Sequence, residues 1–165
     1  MKIKISNGSS ASQSDVNRLE RLVGTRLPID FVDFVSVYDG STPESNLFSV
    51  GADNGSGVTR FIPVADIIKE AVLLTEMGEG MFPFAWAEGG NYVVIDSKSG
   101  KVFFWDHELD QPLVCISPTL SQFLDLLTPF SIESLNLKPS QARKAWIDPN
   151  FLKSIDELGG DSSRT

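Results

Sequence analysis

The order of apolar patterns along the chain predicts an α+β domain, an antiparallel meander sheet with N-terminal and C-terminal helices packed on it. Three observations carry that expectation. Apolar residues recur at helical spacing between residues 14 and 38. Residues 82–116 hold four short apolar runs parted by turn residues. Helical spacing then returns after Pro118. Helices segregated before and after a run of strands are the mark of this class, whereas alternation would signal a parallel sheet.

Each element has its own signals. Residues 1–13, with the small polar stretch SNGSSASQS overlapping their end, are expected to be flexible. A first helix is expected with Ser14 or Asp15 near its N-cap, Val16, Leu19, Leu22 and Val23 on one face, and Gly24 as its stop. Pro28 suits the first position of a second helix to about Tyr38, along which Ile29, Val32, Phe34, Val35 and Tyr38 are apolar and Asp39-Gly40 is the stop. Residues 41–57 read as loop around a strand candidate, Leu47–Val50, and the glycine-rich stretch 51–57 lacks the Lys-Ser/Thr of a phosphate loop. Val58–Ile62 is a second strand candidate, and Asp66 to about Met77 a third helix.

The meander follows. Phe82–Ala87, Tyr92–Asp96, Lys101–Asp106 and Pro112–Ile116 are strands separated by Glu88-Gly89-Gly90-Asn91, Ser97-Lys98-Ser99-Gly100 and Glu108-Leu109-Asp110. Ser117 is expected to cap a helix with Pro118 at its start and Leu120, Phe123, Leu124 and Leu127 inward. A helical extension over 129–160 and a disordered tail at 161–165 complete the reading, with residues 14–128 as the main domain.

Composition narrows the function classes. The 165 residues carry a net charge of −8, and residues 61–116 alone hold nine acids against three bases. Such a surface repels phosphate backbones, which argues against direct nucleic-acid binding, and it steers a basic partner toward it. No run approaches the roughly 18 apolar residues needed to cross a bilayer, and the N-terminus has no apolar run of signal-peptide length, so a cytoplasmic location is expected. One cysteine excludes an internal disulfide, and Leu113, Val114 and Ile116 around Cys115 predict a buried thiol.

Catalytic readings fare poorly. With one histidine and one cysteine no conventional zinc site can form. Glu88, Asp106, Glu108 and Asp110 could supply paired carboxylates for hydrolysis, but acids at strand ends read as solvated loop charge, and Asp106 is expected to bond a turn backbone. His107 has no partner of a general-base kind and reads as structural or as an interface residue. No catalytic residue, cofactor or metal is expected.

Strict alternation puts Phe82, Phe84 and Trp86 on one face of the sheet and the smaller Pro83, Ala85 and Ala87 on the other, facing the helices. Phe103, Trp105 and His107 likewise share a face. If both aromatic sets lie on the same side, that side needs a cover: either the C-terminal helices or a partner.

The run Phe84-Ala85-Trp86-Ala87-Glu88-Gly89-Gly90-Asn91-Tyr92-Val93-Val94-Ile95-Asp96, followed by Gly100-Lys101-Val102-Phe103-Phe104-Trp105-Asp106-His107, resembles the core of the SUKH superfamily, domains related to the yeast cell-wall assembly regulator. Leu27-Pro28-Ile29-Asp30-Phe31 and Tyr38-Asp39-Gly40 resemble that family's helix start and stop. The likeness spans roughly residues 14–128, departing from the pattern at Asn91, where an acid is often found, and in the extension beyond 128. It implies an α+β fold and, for many bacterial members, an immunity protein that binds and neutralises a cognate toxin, often a nuclease; the acidic middle segment would match a basic one. The expected function is therefore non-enzymatic toxin binding, with Trp86, Glu88, Asn91, Trp105, Asp106, His107 and Glu108 as the partner-binding residues. The alternative is a regulatory or scaffolding module of the same fold.

Overall fold

A computed structural model describes residues 5–6, 8–51, 54–73, 77–109 and 113–130. The expected extension and tail fall outside the described residues from 131 onward. Within them the architecture is α+β with an antiparallel meander, in agreement with the sequence.

Helix α1 (Gln13–Val23) begins before the expected cap. Ser12, not Ser14 or Asp15, is the N-cap, and its side chain accepts the Asp15 N–H at 3.1 Å. Gly24 closes the helix in the left-handed region with φ 74°, a conformation that favours glycine. Val16, Leu19 and Val23 are buried, whereas Leu22, expected inward, is exposed. Helix α2 (Ile29–Tyr38) follows Pro28 and buries Phe31, Phe34 and Val35, leaving Ile29 74% exposed. Its buried stripe is thus centred on Phe31, not on Ile29.

Two short strands, β1 (Ile5–Ser6) and β2 (Thr42–Pro43), pair antiparallel. The main sheet contains β3 (Leu47–Ser49), β4 (Gly55–Phe61), β5 (Met81–Ala87), β6 (Tyr92–Asp96), β7 (Val102–Trp105) and β8 (Leu113–Ser117), in that spatial order with every pair antiparallel. Helix α3 (Val64–Leu73) is inserted between β4 and β5, starting ahead of the expected Asp66. Helix α4 (Leu120–Leu126) follows β8, and its cap is Thr119, whose side chain accepts the Gln122 N–H at 3.2 Å. Ser117 cannot play that part because it still pairs with Val102 in the sheet.

The core is an aromatic seam between α2 and the sheet. Phe31 meets Phe82 edge-on with centroids 5.0 Å apart, and Phe34 meets Phe61 at 4.9 Å and Phe84 at 5.4 Å. This overturns the expectation that Phe82 and Phe84 face away from the helices. The reason is a register shift between Pro83 and Ala85: Pro83 pairs with Val94 and Ala85 with Val93, so Phe84 is the extra residue of a bulge. Directly paired residues share a face. Trp86, opposite Tyr92, therefore parts company with Phe82, opposite the fully buried Ile95.

The sheet also coils. Phe48 on β3 and Phe104 on β7 lie 5.8 Å apart at their ring centroids, although three strands separate them. In a flat sheet those strands would be about 19 Å apart. Phe123 of α4 packs on Phe48 at 5.4 Å and helps fill the concave side. The outer edge of β3 is met by Thr128, which exchanges backbone hydrogen bonds of 2.9 Å with Leu47.

Candidate functional site

The coiling brings the β3–β4 hairpin against the β5–β6 turn and the end of β7, and a pocket of about 380 Å³ opens between them. Phe104 and Val114 contribute apolar floor, Val50, Asn54, Gly55 and Ser56 one wall, and Glu88, Gly89, Asn91, Asp106 and Leu109 the rest. Pockets at the mouths of coiled sheets are common ligand sites.

Local backbone chemistry positions the polar groups. Glu88–Gly90 form a single 3-10 turn in which Gly89 and Gly90 have φ of 74° and 81°, values that side chains rarely tolerate. The Ala87 N–H closes the turn on the Asn91 carbonyl at 2.8 Å. Asn91 then reaches across to the turn just past β7, where its Oδ1 accepts the His107 backbone N–H at 3.4 Å and lies 2.9 Å from the ring Nδ1. Asp106 Oδ1 accepts the Glu108 N–H at 3.0 Å, the turn bond expected of it. Glu88 lies beside Gly57: a Cβ at that glycine would sit 2.8 Å from Glu88 Oε1. Among the described residues Glu88, Asp106 and Glu108 form no ion pair.

Trp86 and Trp105 belong to a second grouping. Register aligns Arg60, Trp86, Tyr92, Trp105 and Leu113 in one row across β4 to β8, on the face away from the α2 seam. Tyr92 packs on Trp105 at 5.8 Å and donates its hydroxyl to Glu70 Oε2 at 2.8 Å. Burial, then the Glu70 carboxylate, push the Tyr92 pKa up to about 12, against a smaller opposing contribution from Trp86. Trp86 and Trp105 are half-buried, and the Trp105 Nε1 is buried with no hydrogen-bond partner among the described residues. Cys115, expected buried, is exposed: it pairs with Phe103 on this outer face, while its neighbour Val114 takes the inner one.

His107 joins the two groupings. Its ring lies 6.1 Å from that of Trp105, tilted by 31°, while its Nδ1 is bound to Asn91. Glu88, Asn91 and Asp106 thus share the pocket, Trp86 and Trp105 the neighbouring row, and Glu108 is exposed beyond them. In the hairpin wall the sequence puts Val50 at the end of a strand candidate and reads residues 54–56 as loop, although Asn54-Gly55 is a strong hairpin dipeptide. A separate concavity of about 240 Å³ lies between α2 and α4, where Asp30 spends its carboxylate on the N–H groups of Phe31 and Ser121. Among the described residues no cluster of three His, Cys, Asp or Glu side chains could hold a metal ion, and no helix is long and apolar enough to cross a membrane.

The fold and site define a class: an α+β domain whose meander strands end in a polar, acid-lined pocket beside an aromatic row. The SMI1 / KNR4 family (SUKH-1) model matches residues 10–126, and the chain belongs to that family. A curated relative, the SPbeta prophage-derived uncharacterized protein YokK of Bacillus subtilis (strain 168), is 26% identical over 124 residues. The match covers 61% of this chain and 65% of the relative, so it spans just under two thirds of that protein's length. The family is not a known enzyme family.

Proposed function

We propose that the chain is a non-enzymatic protein-binding domain that neutralises a cognate bacterial toxin by occluding it, and that Trp86, Glu88, Asn91, Trp105, Asp106, His107 and Glu108 form the contact. Family membership supports the reading, since many bacterial members resembling it are immunity proteins. One observation carries it to these residues: Glu88 and Asp106 line a pocket with no Lys or Arg in its walls and no ion-pair partner among the described residues. Carboxylates left uncompensated beside half-buried aromatics are complementary to a basic protein surface, and a basic nuclease so covered loses access to its substrate.

Coexpression provides the test. The gene is expressed together with each candidate toxin gene found beside it in its native genome, and host survival is scored. Survival that depends on the intact Glu88 and Asp106 supports the reading. Killing that proceeds unabated, with the protein present and folded, refutes it.

A further inference from the structure

We propose that the pocket at the mouth of the coiled sheet seats a single arginine side chain of the partner protein. This deepens the partner-binding reading above and rests on it.

Size, lining and charge point the same way. At about 380 Å³ the pocket stands at the low end of the roughly 300–1,000 Å³ typical of small-molecule sites, room for one long side chain and a few waters. Its apolar parts, Val50, Phe104, Leu109 and Val114, suit an aliphatic stem and the flat face of a guanidinium. Its acceptors sit apart, on different loops. Glu88 has no hydrogen-bond or ion-pair partner among the described residues, and Asp106 uses only Oδ1, for the Glu108 N–H, leaving Oδ2 open.

Arginine fits this arrangement better than lysine does. A planar cation with five donors can serve two carboxylates from one position, and its weak hydration lets it settle on apolar surface. An ammonium ion would surrender a tight hydration shell for a pocket offering few acceptors on its floor. Gly57 is part of the design: a buried glycine whose missing side chain leaves the Glu88 carboxylate its place. A free arginine molecule would bring its own carboxylate against Glu88, Asp106 and Glu108, so the side chain of a polypeptide is the better occupant.

The test is an NMR titration of the full-length, isotope-labelled chain with the blocked tripeptide acetyl-Gly-Arg-Gly-amide, its lysine and citrulline counterparts, and L-arginine. The arginine peptide is expected to shift the Gly89 N–H and the Asn54 and Asn91 side-chain amides saturably, with a Kd of about millimolar order. The neutral citrulline peptide should bind at least about tenfold more weakly, and the Glu88→Gln/Asp106→Asn double variant, its fold checked by its own spectrum, should lose the response. Equal binding of citrulline, tighter binding of free L-arginine or of the lysine peptide, or no saturable shift at these residues would overturn the proposal. The titration reads the pocket alone and the coexpression assay reads toxin neutralisation, so failure of one is distinguishable from failure of the other.

Discussion

Asn91 and His107, sixteen residues apart, one just before β6 and the other just past β7, are clasped through one oxygen: Asn91 Oδ1 takes the His107 backbone N–H at 3.4 Å and faces the ring Nδ1 at 2.9 Å. The backbone N–H can only donate, which fixes the amide orientation and makes the facing atom an oxygen. Nδ1 must then carry the hydrogen, and Nε2 of the neutral ring is left as an acceptor. The expected outcome is an Nδ1–H tautomer for His107 in long-range nitrogen–proton NMR spectra. Asn91→Ala should release the ring toward a mixture of tautomers, with a stability loss of about 1 kcal/mol for the lost bond. An Nε2–H tautomer in the parent protein would show the clasp to be misassigned.

Gly57→Ala tests how the pocket is shaped. The new methyl would arrive 2.8 Å from Glu88 Oε1 and 3.3 Å from Asn46 Nδ2, both at the ends of flexible side chains. Those ends can move, so the fold should survive with a stability change under about 1 kcal/mol, while Glu88 is displaced. Partner capture should weaken to the same extent as is expected of Glu88→Gln, and the two substitutions together should add little. Full additivity in a double-mutant cycle would mean that the glycine acts elsewhere.

Phe31→Ala separates the buried stripe of α2 from the Ile29-containing one that helical spacing suggests. Phe31 is fully buried against Phe82 and Phe84, at 5.0 and 5.9 Å, so its truncation should cost about 3–5 kcal/mol. Ile29→Ala, at a position 74% exposed, should stay within about 0.5 kcal/mol in urea titrations. Comparable losses at both positions would place the α2 stripe wrongly.

These residues also show what a sequence can and cannot disclose. The strands of the meander are legible because each is an apolar run ended by glycine or an Asx turn, as where Asp96 accepts the Ser99 hydroxyl at 2.6 Å and the Lys98 N–H at 2.9 Å. Face assignment fails at Phe84 because a bulge inserts one residue, and period-two reasoning has no means of counting it. Cys115 misleads for the related reason that an apolar run around a residue says nothing of which face it takes. Glu88, Asn91 and Asp106 could be singled out as strand-end polar groups. Their meeting with Asn54 and Ser56 could not, because it depends on sheet coiling, a tertiary property set by contacts such as Phe48 with Phe104.

Tyr92 offers a spectroscopic check on the outer face. Its phenol should ionise at about 12, above the usual value near 10, because burial and the adjacent Glu70 carboxylate both disfavour the anion. A native pKa raised above the unfolded one gives stability that is full below about pH 10 and is lost as the pH climbs toward 12. In a titration of phenolate absorbance Tyr92 should therefore lag. Glu70→Gln should bring it part of the way back, since burial persists. No movement on that substitution would remove Glu70 from the causes.

Asp39 ties three segments together, and its substitution separates two roles. Its backbone exchanges hydrogen bonds of 2.8 and 3.0 Å with Ser9, and its Oδ1 accepts the Val64 N–H at 2.8 Å, capping α3 where Pro63 has no side-chain acceptor to offer. Burial raises the Asp39 pKa, opposed by the Val64 bond, assisted by Asp15 and Asp66, and opposed by Arg60. An acid whose native pKa is raised binds its proton more tightly when folded, so ionisation costs stability as the pH rises from the unfolded value of 3.8 through the native one. Asp39→Asn keeps an oxygen for Val64 and removes the buried charge. At pH 7 it should be at least as stable as the parent, with the gap closing as the pH falls toward 4. Asp39→Ala also forfeits the cap and should be about 1 kcal/mol less stable than Asp39→Asn at both pH values. Urea unfolding of the three proteins at pH 7 and near pH 4 decides the matter: if Asn and Ala are equally destabilising at pH 7, it is the charge and not the acceptor that holds α3.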